Sequence, residues 1–211
     1  MTGFPYFCAS IFLIMKSINI EGQLRTDHGK KAARLLRSQK LVPGVIYGGT
    51  EEINFSAPAS AFKPIVYTPE FMLADIKVGG QSYKCILKDL QFDKVYDELI
   101  HCDFLQLVDG KHVIATLPVR YTGNAAGVKE GGRLVTKMKT LKVKALPKHL
   151  RESIEVDVTA LELAGSIRVQ DIKLDNMEVL NSPRIPMATI VMTRQLKQEA
   201  AAEAKDEKKK K

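Results

Sequence analysis

Two short constellations in this 211-residue sequence carry side chains that could do chemistry. The first is a set of cations, Lys30, Arg34 and Arg37, spaced at i, i+4 and i+7. On a helix of 3.6 residues per turn they fall within roughly a 60° arc. Like charges on one stripe repel, so the arrangement costs stability unless an anion lies opposite or water solvates the face. The second is His101 and Asp103, two residues apart and therefore on one side of a strand. The imidazole can donate or accept a hydrogen bond, whereas the carboxylate only accepts. Such a pair can serve acid–base chemistry, supply two metal ligands, read the polar groups of a partner, or simply face solvent.

Each constellation needs an element to position it. Residues 29–40 have a helical pattern: Ala32 and Leu36 lie opposite the cations, flanked by Ala33 and Leu35, giving a side that can pack on a sheet. Residues 99–107 read as a strand. Ile100, Cys102 and Phe104 would point to the core and leave His101 and Asp103 on the outer face. The rest of the pattern is short strands punctuated by turn residues. Pro43-Gly44 leads into Val45-Ile46-Tyr47, closed by Gly48-Gly49, and residues 71–78 and 82–92 flank Gly79-Gly80 as a hairpin. Asp109-Gly110 marks a turn and a domain boundary. Beyond it, residues 113–121, 136–146, 154–158, 167–169 and 185–193 read as strands. The glycine-bearing loop 123–132 lacks the Gly-Lys-Ser/Thr ending of a phosphate-binding loop.

Charge is unevenly distributed. The chain carries a net +8, and residues 25–40 alone hold six basic residues against one acid. The tail, 197–211, holds six lysines against four acids, which leaves the remainder close to neutral. A concentrated basic segment points to an anionic partner. The tail has no apolar face to bury and is expected to be disordered or a frayed helix. Cys8, Cys85 and Cys102 form no Cys-x-x-Cys pair, which argues against a disulfide framework or structural zinc and for a reducing cytosol. Residues 1–15 are apolar but too short and wrongly flanked for a signal peptide or a membrane span. They read as an extension ahead of a natural start at Met15. Catalysis has little to stand on. There is no Gly-x-Ser-x-Gly motif and no Cys/His cluster at metal spacing, and His28, His112 and His149 are scattered.

Taken together, Leu24-Arg25, Gly29-Lys30, Ala33-Arg34-Leu35-Leu36-Arg37, the run Val42-Pro43-Gly44-Val45-Ile46-Tyr47-Gly48 and His101-Cys102-Asp103-Phe104 resemble one family. It is the twenty-fifth large-subunit ribosomal protein of bacteria in its long, two-domain form, also called general stress protein CTC. The second half resembles the family's C-terminal domain through Ala126-Gly127-Val128-Lys129-Glu130-Gly131-Gly132, Ile154-Glu155-Val156-Asp157-Val158 and Gln170-Asp171-Ile172-Lys173-Leu174. The likeness runs in consistent order over residues 16–193.

The resemblance implies a mainly β fold. A small N-terminal β-barrel with short helices would occupy residues 16–108, and an all-β C-terminal domain residues 109–196. It implies binding of 5S rRNA at the loop E region, a place in the large ribosomal subunit among its rRNA and proteins, a role in translation in the cytoplasm, and no cofactor, metal, membrane or small-molecule substrate. Family RNA contacts carry over onto Arg25, Lys30, Arg34, Arg37, Tyr47, His101 and Asp103. The chain departs from the family at Leu35, where some members have a second consecutive arginine, and at Lys31, often a small residue there. The competing readings are a stress protein acting off the ribosome and an enzyme.

Overall fold

The computed structural model describes residues 15–172, 174 and 176–193, in two compact units. Residues 1–14, with Cys8, and the charged tail lie outside the described residues.

In the first unit the chain runs β1 (Ser17–Leu24), α1 (Lys30–Ser38), β2 (Leu41–Tyr47), β3 (Ile53–Pro58), α2 (Ala59–Val66), β4 (Leu73–Val78), β5 (Gln81–Phe92) and β6 (Leu99–Gln106). The six strands close into a barrel in the order β1-β3-β2-β6-β5-β4. Neighbours are antiparallel except β1 with β4 and β2 with β6, which are parallel. Closure leaves no exposed sheet edge to template aggregation. Alternating side chains turn inward, among them Ile20, Ile46, Ile76, Cys102 and Phe104, all with no exposed surface.

The barrel is filled by three aromatic rings. Phe55, Phe104 and Phe62, the last reaching in from α2, have centroids 6.0, 6.1 and 6.4 Å apart in pairs. Room for Phe55 comes from two glycines. A Cβ on Gly22 would sit 2.7 Å from its Cδ2, and one on Gly44 would sit 2.8 Å from its Cζ. The expected hairpin is present: Val78 pairs with Gln81 across Gly79 and Gly80, both with positive φ, as a two-residue primed turn requires.

Pro43-Gly44, read as a lead-in, lies inside β2 instead. Pairing of β2 with β6 begins only at Gly44, so the N–H that Pro43 lacks has no β6 carbonyl waiting for it. Strands β1 and β3 and helix α2 are additions to the expected elements.

The second unit contains β7 (Val113–Thr122), α3 (Ala126–Lys129), β8 (Arg133–Thr136), β9 (Thr140–Ala145), β10 (Ile154–Asp157), β11 (Ser166–Arg168), β12 (Met177–Val179) and β13 (Pro186–Val191). They form a four-stranded sheet, β10-β7-β9-β12, and a three-stranded sheet, β11-β13-β8. The strand expected over 136–146 begins late, as β9 at Thr140, and Thr136 ends β8 in the other sheet. Between them the N–H groups of Lys137 and Met138 donate to the Met187 carbonyl at 2.8 and 3.2 Å. The Tyr121 hydroxyl on β7 lies 2.5 Å from the Met138 carbonyl oxygen and 3.1 Å from that of Met187, tying the two sheets together. The glycine loop holds the one-turn α3, and its glycines serve packing. A Cβ on Gly127 would meet the Leu163 backbone nitrogen at 2.6 Å, and one on Gly132 would meet Ile190 Cγ2 at 2.5 Å.

Candidate nucleic-acid interface

Helix α1 is built against its own macrodipole. Its N-cap, Gly29, offers no side-chain hydrogen bond and the first turn has no acid; Lys30 and Lys31 sit at the positive end instead. A free helix prefers the reverse, by about 0.3–1 kcal/mol per charge. An anion at this end relieves the conflict. Ala32, Ala33 and Leu36 are half-buried, while Lys30, Lys31, Arg34 and Arg37 are exposed. Leu35 corrects the sequence reading: it is 60% exposed and shares the open side with the cations. At 100° per residue it lies too far round from Leu36 and Ala33 to reach the barrel.

Two of the arginines are anchored. Arg37 Nε donates to the Ile100 carbonyl at 3.2 Å, which sets its guanidinium beside the strand residue before His101. Half-buried Arg25 donates its backbone N–H to Asn54 at 2.9 Å and its Nε to the Asp27 carbonyl at 2.7 Å. Its head is thus held over the loop that leads into α1. Lys30 and Arg34 reach into solvent.

On β6, Cys102 and Phe104 face the barrel interior, and His101 and Asp103 share the outer face, as alternation requires. His101 Nδ1 and Asp103 Oδ1 are 2.6 Å apart, with side chains 27% and 28% exposed. The carboxylate thereby fixes the imidazole's orientation and leaves Nε2 for a partner. Across the sheet Val45 is beside Asp103 and Tyr47 beside Leu105 on β2, while on β5 Asp89 lies opposite Asp103 and Gln91 opposite His101. Burial first, then the negative charges of Asp103 and Asp89, hold the Tyr47 phenol above its ordinary pKa. Tyr47 is therefore a neutral hydroxyl at any physiological pH, able to donate and accept.

Tyr47, His101 and Asp103 thus form one patch, with Arg37 tied to its margin. Arg25, Lys30 and Arg34 belong to the helix and the loop before it. Asp89 and Gln91 were not among the sequence-derived residues. A strand over 82–92 was expected, but the bulge between Leu87 and Asp89 sets which of its side chains face outward, and no residue pattern announces it.

Nothing in this patch completes a reaction centre. The buried Cys85 and Cys102 thiols lie inside the barrel with pKa values pushed up to about 12 by burial, so neither is a thiolate nucleophile. Among the described residues, no hydroxyl or thiol nucleophile is hydrogen-bonded to His101 or Asp103.

A closed barrel bearing a cationic helix and a polar strand face edged by an aromatic ring has the features of a nucleic-acid-binding module. Two family profiles divide the chain: residues 20–104 match the ribosomal L25p family, and residues 112–194 match the C-terminal domain of ribosomal protein TL5. Over 191 residues the chain is 42% identical to the large ribosomal subunit protein bL25 of Cytophaga hutchinsonii, covering 90% of this chain and all of that protein. It is 40% identical to the proteins of the same name from Amoebophilus asiaticus, over 92% of this chain and all of the relative, and Porphyromonas gingivalis, over 85% and 95%. The chain belongs to the ribosomal L25p family, in the form that carries the additional C-terminal domain.

Proposed function

We propose that this chain binds 5S rRNA through the outer face of its barrel, with α1 and the β2–β6–β5 surface as the two halves of the interface. As a family member it is a structural, non-catalytic constituent of the large ribosomal subunit and works in translation on the cytoplasmic ribosome.

The carrying observation is the hydrogen-bonded His101–Asp103 pair, half-exposed beside Tyr47 on a surface bordered by α1. A carboxylate facing RNA is repelled by phosphate. It belongs there only if it accepts from a base amino group or a 2′-hydroxyl, or orients a neighbour that does. An A-form helix displays such groups in its wide, shallow minor groove, across which a slab-like β surface can lie. Arg25, Lys30, Arg34 and Arg37 neutralise phosphates and set the register; Tyr47, His101 and Asp103 read what lies between. Neutralising about four phosphates gives a slope of log K against log salt of roughly −3 to −4.

The test is a gel-shift titration of the chain against 5S rRNA, with transfer RNA as competitor, at two salt concentrations. Tight, salt-dependent binding that survives the competitor is the expected result. Binding that transfer RNA abolishes would leave a generic basic protein and overturn the proposal.

A further inference from the structure

The β5–β6 hairpin ends in a tip whose chemistry is the opposite of α1's. Residues 93–98 read Asp-Lys-Val-Tyr-Asp-Glu, three acids against one lysine. Val95 and Tyr96 are 79% and 77% exposed, among the most exposed large apolar side chains of the described residues, and Phe92 at the base of the tip is 39% exposed. Single exposed apolar residues are ordinary on any surface, but three within five positions of one turn are not scattered.

The tip is also held in one shape. Asp93 Oδ1 accepts the N–H groups of Val95 at 2.8 Å and Tyr96 at 3.3 Å. Its own N–H donates to the Glu98 carbonyl at 2.7 Å, and its carbonyl accepts from Asp97 N–H at 3.1 Å. Asp97 takes a φ of +52° to close the loop. A preformed turn presents Val95 and Tyr96 with little left to order on binding, and a rigid aromatic is the commonest kind of interface anchor.

We infer that this tip is a protein-docking knob, seated in the large subunit against a basic protein surface and not against rRNA. The inference goes beyond the RNA-binding proposal and rests only on membership of the ribosome, where the neighbours are RNA or protein. Charge decides between them. Asp93, Asp97 and Glu98 would be repelled by a phosphate backbone, whereas a cationic protein surface complements them while Val95 and Tyr96 fill an apolar recess.

The test uses large subunits depleted of this protein and the full chain as probe, in competition with the unaltered chain. Val95→Ser/Tyr96→Ser lowers subunit occupancy about tenfold, Glu98→Lys lowers it severalfold, and both leave affinity for isolated 5S rRNA within twofold. Unchanged occupancy for the double variant overturns the inference. Tighter occupancy for Glu98→Lys overturns it in favour of an rRNA neighbour, and parallel loss on isolated 5S rRNA would make the tip part of the RNA face. The unaltered chain's own binding to 5S rRNA reads the earlier proposal, so the two can fail separately.

Discussion

Single side chains divide the labour of RNA binding between affinity and selectivity. Arg34 is exposed on α1 with no acid in the helix's first turn, so its charge is free for phosphate. Arg34→Ala is expected to weaken binding to 5S rRNA and to a random duplex alike, and to flatten the salt slope by about 0.7–0.9. Asp103 adds no attraction for phosphate, so Asp103→Ala should chiefly erode the preference for 5S rRNA; equal losses on the two RNAs would refute the division. The buried thiols give a second residue-scale expectation. Their folded pKa values of about 12 stand above the ordinary 9.0. The unfolded chain therefore releases protons first, and stability is whole below pH 9 and lost as pH rises toward 12. Each thiol contributes about 1.4 kcal/mol of loss per pH unit in that window. Urea midpoints between pH 8 and 10.5 should decline more gently for Cys85→Ala or Cys102→Ala than for the unaltered chain, whatever the packing cost of the substitution. Parallel declines would mean that the thiols titrate alike in both states.

Helices and strands show where local preference and tertiary demand disagree. The turn after α1 places Lys40 at φ +59°, a left-handed conformation that costs an L side chain about 1 kcal/mol more than glycine. Lys40→Gly should therefore raise stability by about 0.5–1 kcal/mol, measured by urea denaturation, although it removes a charge from the basic segment. Gly44 makes the opposite case. Its absent Cβ leaves space for Phe55, and it would also come within 3.1 Å of the Cys102 carbonyl oxygen. Gly44→Ala should cost about 1–3 kcal/mol, and Phe55→Leu in the same chain should recover part of that loss, since the ring tip is the nearer obstacle. These two positions also explain what the sequence could and could not convey. Helix α1, the Gly79-Gly80 hairpin and the outward pair on β6 were legible because periodicity and turn chemistry are local signals. The placement of Pro43-Gly44 inside a strand was not, because Pro and Gly signal turns and only the barrel's register with β6 and Phe55 makes a strand of them. Likewise the break at Lys137 depends on the Met187 carbonyl, some fifty positions away, and Leu35 was misjudged because two flanking apolar residues look equivalent until the sheet beneath α1 fixes the contact side.

For the molecule as a whole, the location of charge matters more than its total. A net +8 spread evenly would give diffuse affinity for any polyanion, but six of the cations fall within residues 25–40 and the strands of both units are nearly balanced. In the second unit, Lys142 and Lys144 lie on the outer side of β9, where they too could be taken for an RNA-binding stripe. Their neighbours argue otherwise: Lys144 Nζ is 3.4 Å from Glu178 Oε2 on β12, so that part of the face carries its own counter-charge. Exposed pairs of this kind contribute little stability, yet they cancel the local field that would draw in a phosphate. If 5S rRNA is held by the barrel alone, removing charge from the two places has unequal effects. Lys30→Ala/Arg34→Ala should remove about half of the salt slope, whereas Lys142→Ala/Lys144→Ala, an equal change in net charge, should leave slope and affinity for 5S rRNA within twofold of the original. A comparable fall for both double variants would show that the C-terminal sheet also lies on the RNA, and the interface would have to be extended from the barrel to the second unit.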